Sequence, residues 1–201
     1  MKKSNFLKMA FVCLFTVVAL GSCSKDEEEN SDNGIIVNNT ITAVVENGNS
    51  YNDAIDVVKL YPDSDDDAVL ASAEYKNGGF TMTLPANVSS QYLQSIAGDV
   101  PDGITVSNAN VKIGSGNLYA YKSDNRVGIF YLASGENLVG ALVYADGDVS
   151  ITGSSQGEIG TMIFNMNLKR GWNVMCQKTT QNEYEITTTV PADAKWRFRP
   201  L

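Results

Sequence analysis

Met162, Phe164, Met166 and Leu168 alternate with Asn165, Asn167 and Lys169, and this period of two constrains the fold more than any other feature. In a strand, successive side chains point to opposite faces, so such a run collects its apolar residues on one side. On a helix the same run would be scattered around the axis. The pattern recurs along most of the chain. Ile41, Ala43 and Val45 open it, and the stretches 55–61, 69–75 and 80–84 follow. Further strands are expected at 104–106, 109–113, 118–122, 127–133, 138–145, 149–153, 161–169, 172–178, 183–190 and 196–198. Turn formers separate many of them, among them Asn47-Gly48-Asn49, Asn77-Gly78-Gly79, Ser123-Asp124-Asn125 and Asp146-Gly147-Asp148. The run 138–145 is almost wholly apolar and predicts a strand covered on both faces. Only 87–96 carries apolar residues at helical spacing (Tyr92, Leu93, Ile96), with Asn87 or Ser89 available as a cap for a short helix or helical turn. The expectation is an all-β protein. It is a single antiparallel β-sandwich or barrel-like domain over residues 40–201, with at most one short helix. About 160 residues suffice for one core, burying roughly 70% of the unfolded surface.

Composition excludes several chemistries. There is no histidine among the 201 residues, so the chain cannot build a Ser-His-Asp triad, a Cys-His dyad or a His-ligated zinc site. Gly153-Ser154-Ser155-Gln156-Gly157 matches the G-x-S-x-G string. With no histidine and no helix pattern after it, the string is expected to be a polar glycine loop. Cys176 shares a strand side with Trp172 and Val174 and reads as a small buried apolar residue rather than a reactive thiol.

The N-terminus carries an address. Lys2, Lys3 and Lys8 precede an apolar run from Met9 to Leu20, and Gly21-Ser22 then lead into Cys23. The run is too short for a settled membrane span. The arrangement resembles a bacterial lipoprotein signal, which implies removal of residues 1–22 and attachment of lipid to Cys23. Cys13 would leave with the signal, so Cys176 would have no intrachain partner. The signal takes three of the 15 Lys and Arg and none of the 23 Asp and Glu. That leaves 12 against 23, a net charge of −11 rather than −8. Such a balance argues against nucleic acid and against docking on anionic lipid, both of which need clustered cations. Membrane attachment is expected through acyl chains, each buried CH₂ contributing roughly 0.8 kcal/mol. Residues 23–39 are expected to form a lipidated, flexible acidic tether spanning roughly 20–25 Å. Within it, Lys25, Asp26, Glu27, Glu28 and Glu29 resemble the signal that exports Bacteroidetes lipoproteins to the outer face of the outer membrane.

Two further resemblances concern the domain. The block 40–85 has an opening strand, an N-G turn, a central apolar strand and the ending Asn77-Gly78-Gly79-Phe80-Thr81-Met82-Thr83-Leu84. It is similar to a transthyretin-like or carboxypeptidase-regulatory-like unit, which implies a structural or accessory role; residues 104–201 would add further antiparallel strands. The strings Val143 to Gly153 and Asn167 to Asn173 resemble segments of small uncharacterised Bacteroidetes lipoproteins, a likeness that implies compartment and fold but no activity.

Two groups of residues are candidate sites. Asp63, Asp65, Asp67 and Glu74 fall at EF-hand positions one, three, five and twelve, but Ala68 stands where the loop needs glycine and strands replace the helices. A solvated acidic hairpin with no metal is therefore expected. Trp172 and Trp196 could form a sugar-stacking platform, the alternative being that both anchor the core. No cofactor is implied. The expected role is non-catalytic binding of an extracellular glycan, peptide or partner protein at the cell surface. A structural subunit of an envelope or adhesin complex is the alternative, with a hydrolase behind it.

Overall fold

The computed structural model describes residues 35–96, 100–157 and 160–201, and all of the strands lie in one open, almost entirely antiparallel sheet. Its N-terminal part comprises β1 (Ile36–Val37), β2 (Thr40–Val44), β3 (Val57–Pro62), β4 (Ala71–Lys76) and β5 (Gly79–Thr83), in the order β1-β2-β5-β4-β3. Ile41 and Ala43 are buried while Thr42 and Val44 are exposed, and Phe80 and Met82 alternate in the same way with Thr81 and Thr83. Asn77 and Gly78 both have positive φ, 52° and 77°, as a two-residue hairpin requires.

The remaining strands are β6 (Gln94–Ser95), β7 (Ile104–Val106), β8 (Lys112–Lys122), β9 (Asn125–Ser134), β10 (Leu138–Ala145), β11 (Val149–Gly157), β12 (Gly160–Leu168), β13 (Gly171–Thr179), β14 (Glu183–Thr187) and β15 (Lys195–Pro200). The sheet continues from β3 through β8, β9, β10, β13, β14, β12 and β11 to β7, with β15 on β9 and β6 on β8. The pairing of β12 with β14 is parallel.

Two cores lie on opposite faces of the middle strands. Leu142 and Tyr144 of β10 and Val174 and Cys176 of β13 join Ile41, Leu60, Phe80 and Phe130 in the first. Val143 and Ala145 of β10 and Met175 of β13 join Ile151, Phe164, Met166 and Ile186 in the second. The sheet therefore folds over one face with its N-terminal strands, joined by Trp196 of β15, and over the other with β11, β12 and β14. That explains why 138–145 has so few polar residues: a strand roofed on both sides has no solvent face.

The first core approaches closure. Val45 forms an isolated parallel bridge with Trp196, and the Glu46 N–H donates to the Trp196 carbonyl over 2.8 Å. No ladder develops there, so the sheet remains open and barrel-like.

Several expectations need correction. The stretches 109–113 and 118–122 are not separate strands; β8 runs unbroken through Gly114, Ser115 and Gly116. A Cβ on Gly116 would lie 2.8 Å from Leu60 and 3.1 Å from Trp172, so the glycine there serves close packing rather than a turn. The expected loop at 153–157 is the second half of β11, paired residue by residue with β12. Gly153 has φ +120° and passes against Gly103, a local twist that its sequence disguises as a turn. The expected helix at 87–96 shrinks to the 3-10 turn Ser90–Tyr92, which Ser89 does not cap through its side chain. Leu93 is already extended, and Gln94 and Ser95 pair with β8. A second 3-10 turn, Gly48–Tyr51, occupies the first predicted turn.

Candidate binding face on the central sheet

On β3, β8, β9 and β15 the residues that alternate with core positions include tyrosines and cations, beside Asn117 and Ile129. Val58 and Leu60 point into the first core, so Lys59 and Tyr61 point away from it; Leu118 and Ala120 do the same for Asn117, Tyr119 and Tyr121. Phe130 and Leu132 set Ile129 and Tyr131 on that outer side, and Trp196 sets Arg197 and Arg199 there. Register aligns them: Lys59 faces Tyr119, Tyr119 faces Ile129, and Ile129 faces Arg199. With strands about 4.8 Å apart, this row of four spans about 14 Å. None of these outward residues belongs to either apolar cluster, but Tyr61 and Tyr119 are buried, 6% and 8% exposed, which leaves Tyr121 and Tyr131 as the half-buried tyrosines of the face.

Three of the tyrosines carry a cation over the ring. Arg126 lies 3.0 Å from the Tyr119 centroid, Lys59 lies 4.4 Å from that of Tyr121, and Arg199 lies 5.9 Å from that of Tyr131. Such pairs contribute about 0.5–1 kcal/mol at exposed sites and about 2 kcal/mol when desolvated, and the Tyr119 ring under Arg126 is buried. Tyr61 stacks on Tyr121 with centroids 6.2 Å apart, and the Tyr121 hydroxyl donates to the Tyr61 oxygen over 3.0 Å. Burial, then that hydrogen bond, pushes the Tyr61 hydroxyl up to about 12. Burial likewise raises Tyr119, against the pull of Arg126.

A small cavity of about 60 Å³ opens in the middle of this face, where three strands part. The first half of β8 pairs with β10, its second half with β9, and β9 rejoins β10 further on. Asn117, Tyr131 and Ala141 sit at the fork, each with a ladder partner on one side alone: Tyr61, Arg197 and Met175 respectively. All three line the cavity, with Trp196 beneath. The volume is enough for water, and the Asn117 amide at its edge donates to Asp63 over 2.9 Å.

The predicted site residues are distributed differently. Cys23, Lys25, Asp26, Glu27, Glu28 and Glu29 lie outside the described residues. Trp172 and Trp196 are 9% and 8% exposed and take the core alternative. The Trp172 indole packs edge-on to Tyr144 at 5.5 Å and that of Trp196 against Phe80 at 6.1 Å. Asp63, Asp65 and Asp67 are held in a loop in which Asp65 accepts the Asp67 N–H. Glu74 faces Val57 across the β3–β4 ladder and pairs with Lys76. Among the described residues, no three acidic, Cys or His side chains gather as a metal would need.

The two lipoprotein-like strings meet in space. Asp148 accepts the Arg170 N–H over 2.8 Å, and Lys169 lies 3.3 Å away. The first of these contacts, then the second, holds the Asp148 carboxyl below the usual range. Asn173 closes the same corner through the Lys169 backbone, accepting its N–H and donating to its carbonyl oxygen. These residues fix a turn between β12 and β13.

The tyrosine–cation face was not picked out from the sequence. Its signal was present as K-x-Y, Y-x-Y, I-x-Y and R-x-R at 59–61, 119–121, 129–131 and 197–199, where a solvent face would ordinarily carry Thr, Ser or Asn. Comparison with protein-family models, curated proteins and solved structures returned no match.

Proposed function

We propose that this protein is lipid-anchored at the cell surface through Cys23 and binds an extracellular glycan, without catalysis, on the face formed by β3, β8, β9 and β15. The observation that carries the binding half is the set of cation-topped tyrosines on a sheet face belonging to neither core. Flat aromatic faces suit the apolar faces of sugar rings, and Tyr combines a stacking surface with a polar tip. An extended peptide would join a sheet through a free edge; β3, β8 and β9 are paired on both sides, and β15, laddered to β9 alone, carries charged Lys195, Arg197 and Arg199 along it. The address half rests on the basic start, the short apolar run and Cys23, followed by Lys25 and the acids after it. With no histidine, the commonest hydrolytic constellations are unavailable.

The test uses cells carrying the full chain, a panel of fluorescent polysaccharides and external protease. Wild type should retain at least one polysaccharide and be shaved. Cys23→Ala should leave an unlipidated precursor and no surface binding. Tyr131→Ala should stay anchored and shaved while losing about tenfold in retention. Undiminished retention by Tyr131→Ala would remove this face from the proposal, and equal protease protection of wild type and Cys23→Ala would remove the surface address.

A further inference from the structure

We infer that the glycan taken on this face is anionic, a polymer whose sugar rings carry carboxylates; this rests on the glycan-binding reading above. The mature chain's expected net charge of −11 repels anions at long range, so any attraction must be built locally. Of the described cations, Lys76 pairs with Glu74, Lys122 with Asp56, Lys169 with Asp148, and both Lys195 and this face's own Arg197 with Glu46. Lys112 at the start of β8, Arg170 in the turn before β13 and Lys178 on β13 lie away from the tyrosines of the face. Lys59, Arg126 and Arg199 join no ion pair among the described residues, and all three stand over tyrosines of this one face. Asp63 and Asp66 approach the face from the β3 end, and Asp63 is engaged by Asn117. Arg199 lies across the sheet from them, on β15.

The cations occupy the place a stacked sugar must take. A neutral ring settling on tyrosine displaces the cation and offers it no charge in return. A uronate ring displaces it too, but gives it a carboxylate, and a guanidinium binds carboxylate in a two-pronged, charge-assisted geometry. The distances order the events. Arg126, at 3.0 Å, covers the buried Tyr119, whereas Arg199, at 5.9 Å, stands further off the half-buried Tyr131 ring. Tyr131 is therefore the stacking position, Arg199 its carboxylate partner, and Arg126 the partner of the next acidic ring.

The experiment titrates full-length, detergent-solubilised protein at low salt with polygalacturonate, neutral galactan and poly-glutamate. Arg199→Gln, Arg126→Gln and Tyr131→Ala are compared with wild type after equal melting temperatures establish that each is folded. Polygalacturonate should bind at least tenfold tighter than galactan. Arg199→Gln should cost at least fivefold for polygalacturonate and nothing for galactan, and Tyr131→Ala should weaken both. Galactan binding as tightly as polygalacturonate, with Tyr131→Ala weakening both, overturns the anionic inference and leaves the glycan reading standing. Poly-glutamate binding as tightly as polygalacturonate, indifferent to Tyr131→Ala, overturns it as well, because charge alone would suffice. No binding of either polysaccharide overturns both the inference and the reading beneath it.

Discussion

The indole N–H of Trp172 donates to the carbonyl oxygen of Pro85 over 2.9 Å, joining positions 87 residues apart. Trp172 opens β13 in the central strands, and Pro85 follows the inward Leu84 just past β5, so this one bond ties the N-terminal part of the sheet to its middle. Trp172→Phe keeps a ring and leaves the carbonyl without that donor, a cost of about 1–3 kcal/mol. Trp172→Ala adds a cavity and should cost about 3–5 kcal/mol. Urea unfolding measures both. A Phe variant as stable as wild type would mean the bond contributes nothing net.

Gly128 makes a second exacting contact. A Cβ there would come within 2.3 Å of the Phe198 ring and 2.5 Å of the Arg199 carbonyl oxygen, and the second of these is backbone. Gly128→Ala should destabilise by about 1–3 kcal/mol and loosen β15 first, seen as faster hydrogen exchange at Trp196 and Phe198. Gly157→Ala, whose nearest neighbour would lie at 3.4 Å, serves as a nearly neutral control.

Tyr61 should make stability fall in alkali. Its folded value of about 12 stands above the reference of 10.0, so between those pH values the unfolded chain loses a proton that the folded chain keeps. The native state binds more protons there, and the free energy of unfolding declines as pH rises. The contribution is complete below pH 10 and gone above 12. Denaturation at successive pH values should show this slope, flattened in Tyr61→Phe. A slope unchanged in that variant would assign it to other groups.

Cys176 is fully buried in the first core, and burial pushes its thiol up to about 12. Native protein should react with a thiol reagent no faster than it unfolds, and denatured protein at once. Melting should be the same with and without dithiothreitol, and a lowered melting temperature on reduction would reveal a partner thiol.

The strand pattern was largely legible because alternation is a local property. Leu138 to Ala145 was read as covered on both faces, and β10 is. Phe80, Met82 and Leu84 were placed inward and are buried. Asn77-Gly78 forms the hairpin its residues predict, but glycines inside strands mislead. Gly114 and Gly116 looked like a break, and Gly153 to Gly157 like a loop, because glycine's preference for turns is local while its use here is set by neighbouring strands. The tyrosine–cation face was illegible for a related reason. Alternation says that Tyr119 and Leu118 point to opposite sides, but which side is roofed depends on where the C-terminal strands land. The fork at Asn117, Tyr131 and Ala141 depends on three registers at once, and no single segment encodes it.

Trp196 touches Val45 across nearly the whole length of the domain, and β15 covers β9 within the last residues of the chain. The first core is therefore incomplete until residues 195–200 dock: before that, Phe130 lacks Phe198 and Phe80 lacks Trp196. All-β topologies of such long range fold in roughly milliseconds to seconds, because the entropy of closing long loops is lost before their contacts reward it, and here the strand that closes the core sets that delay.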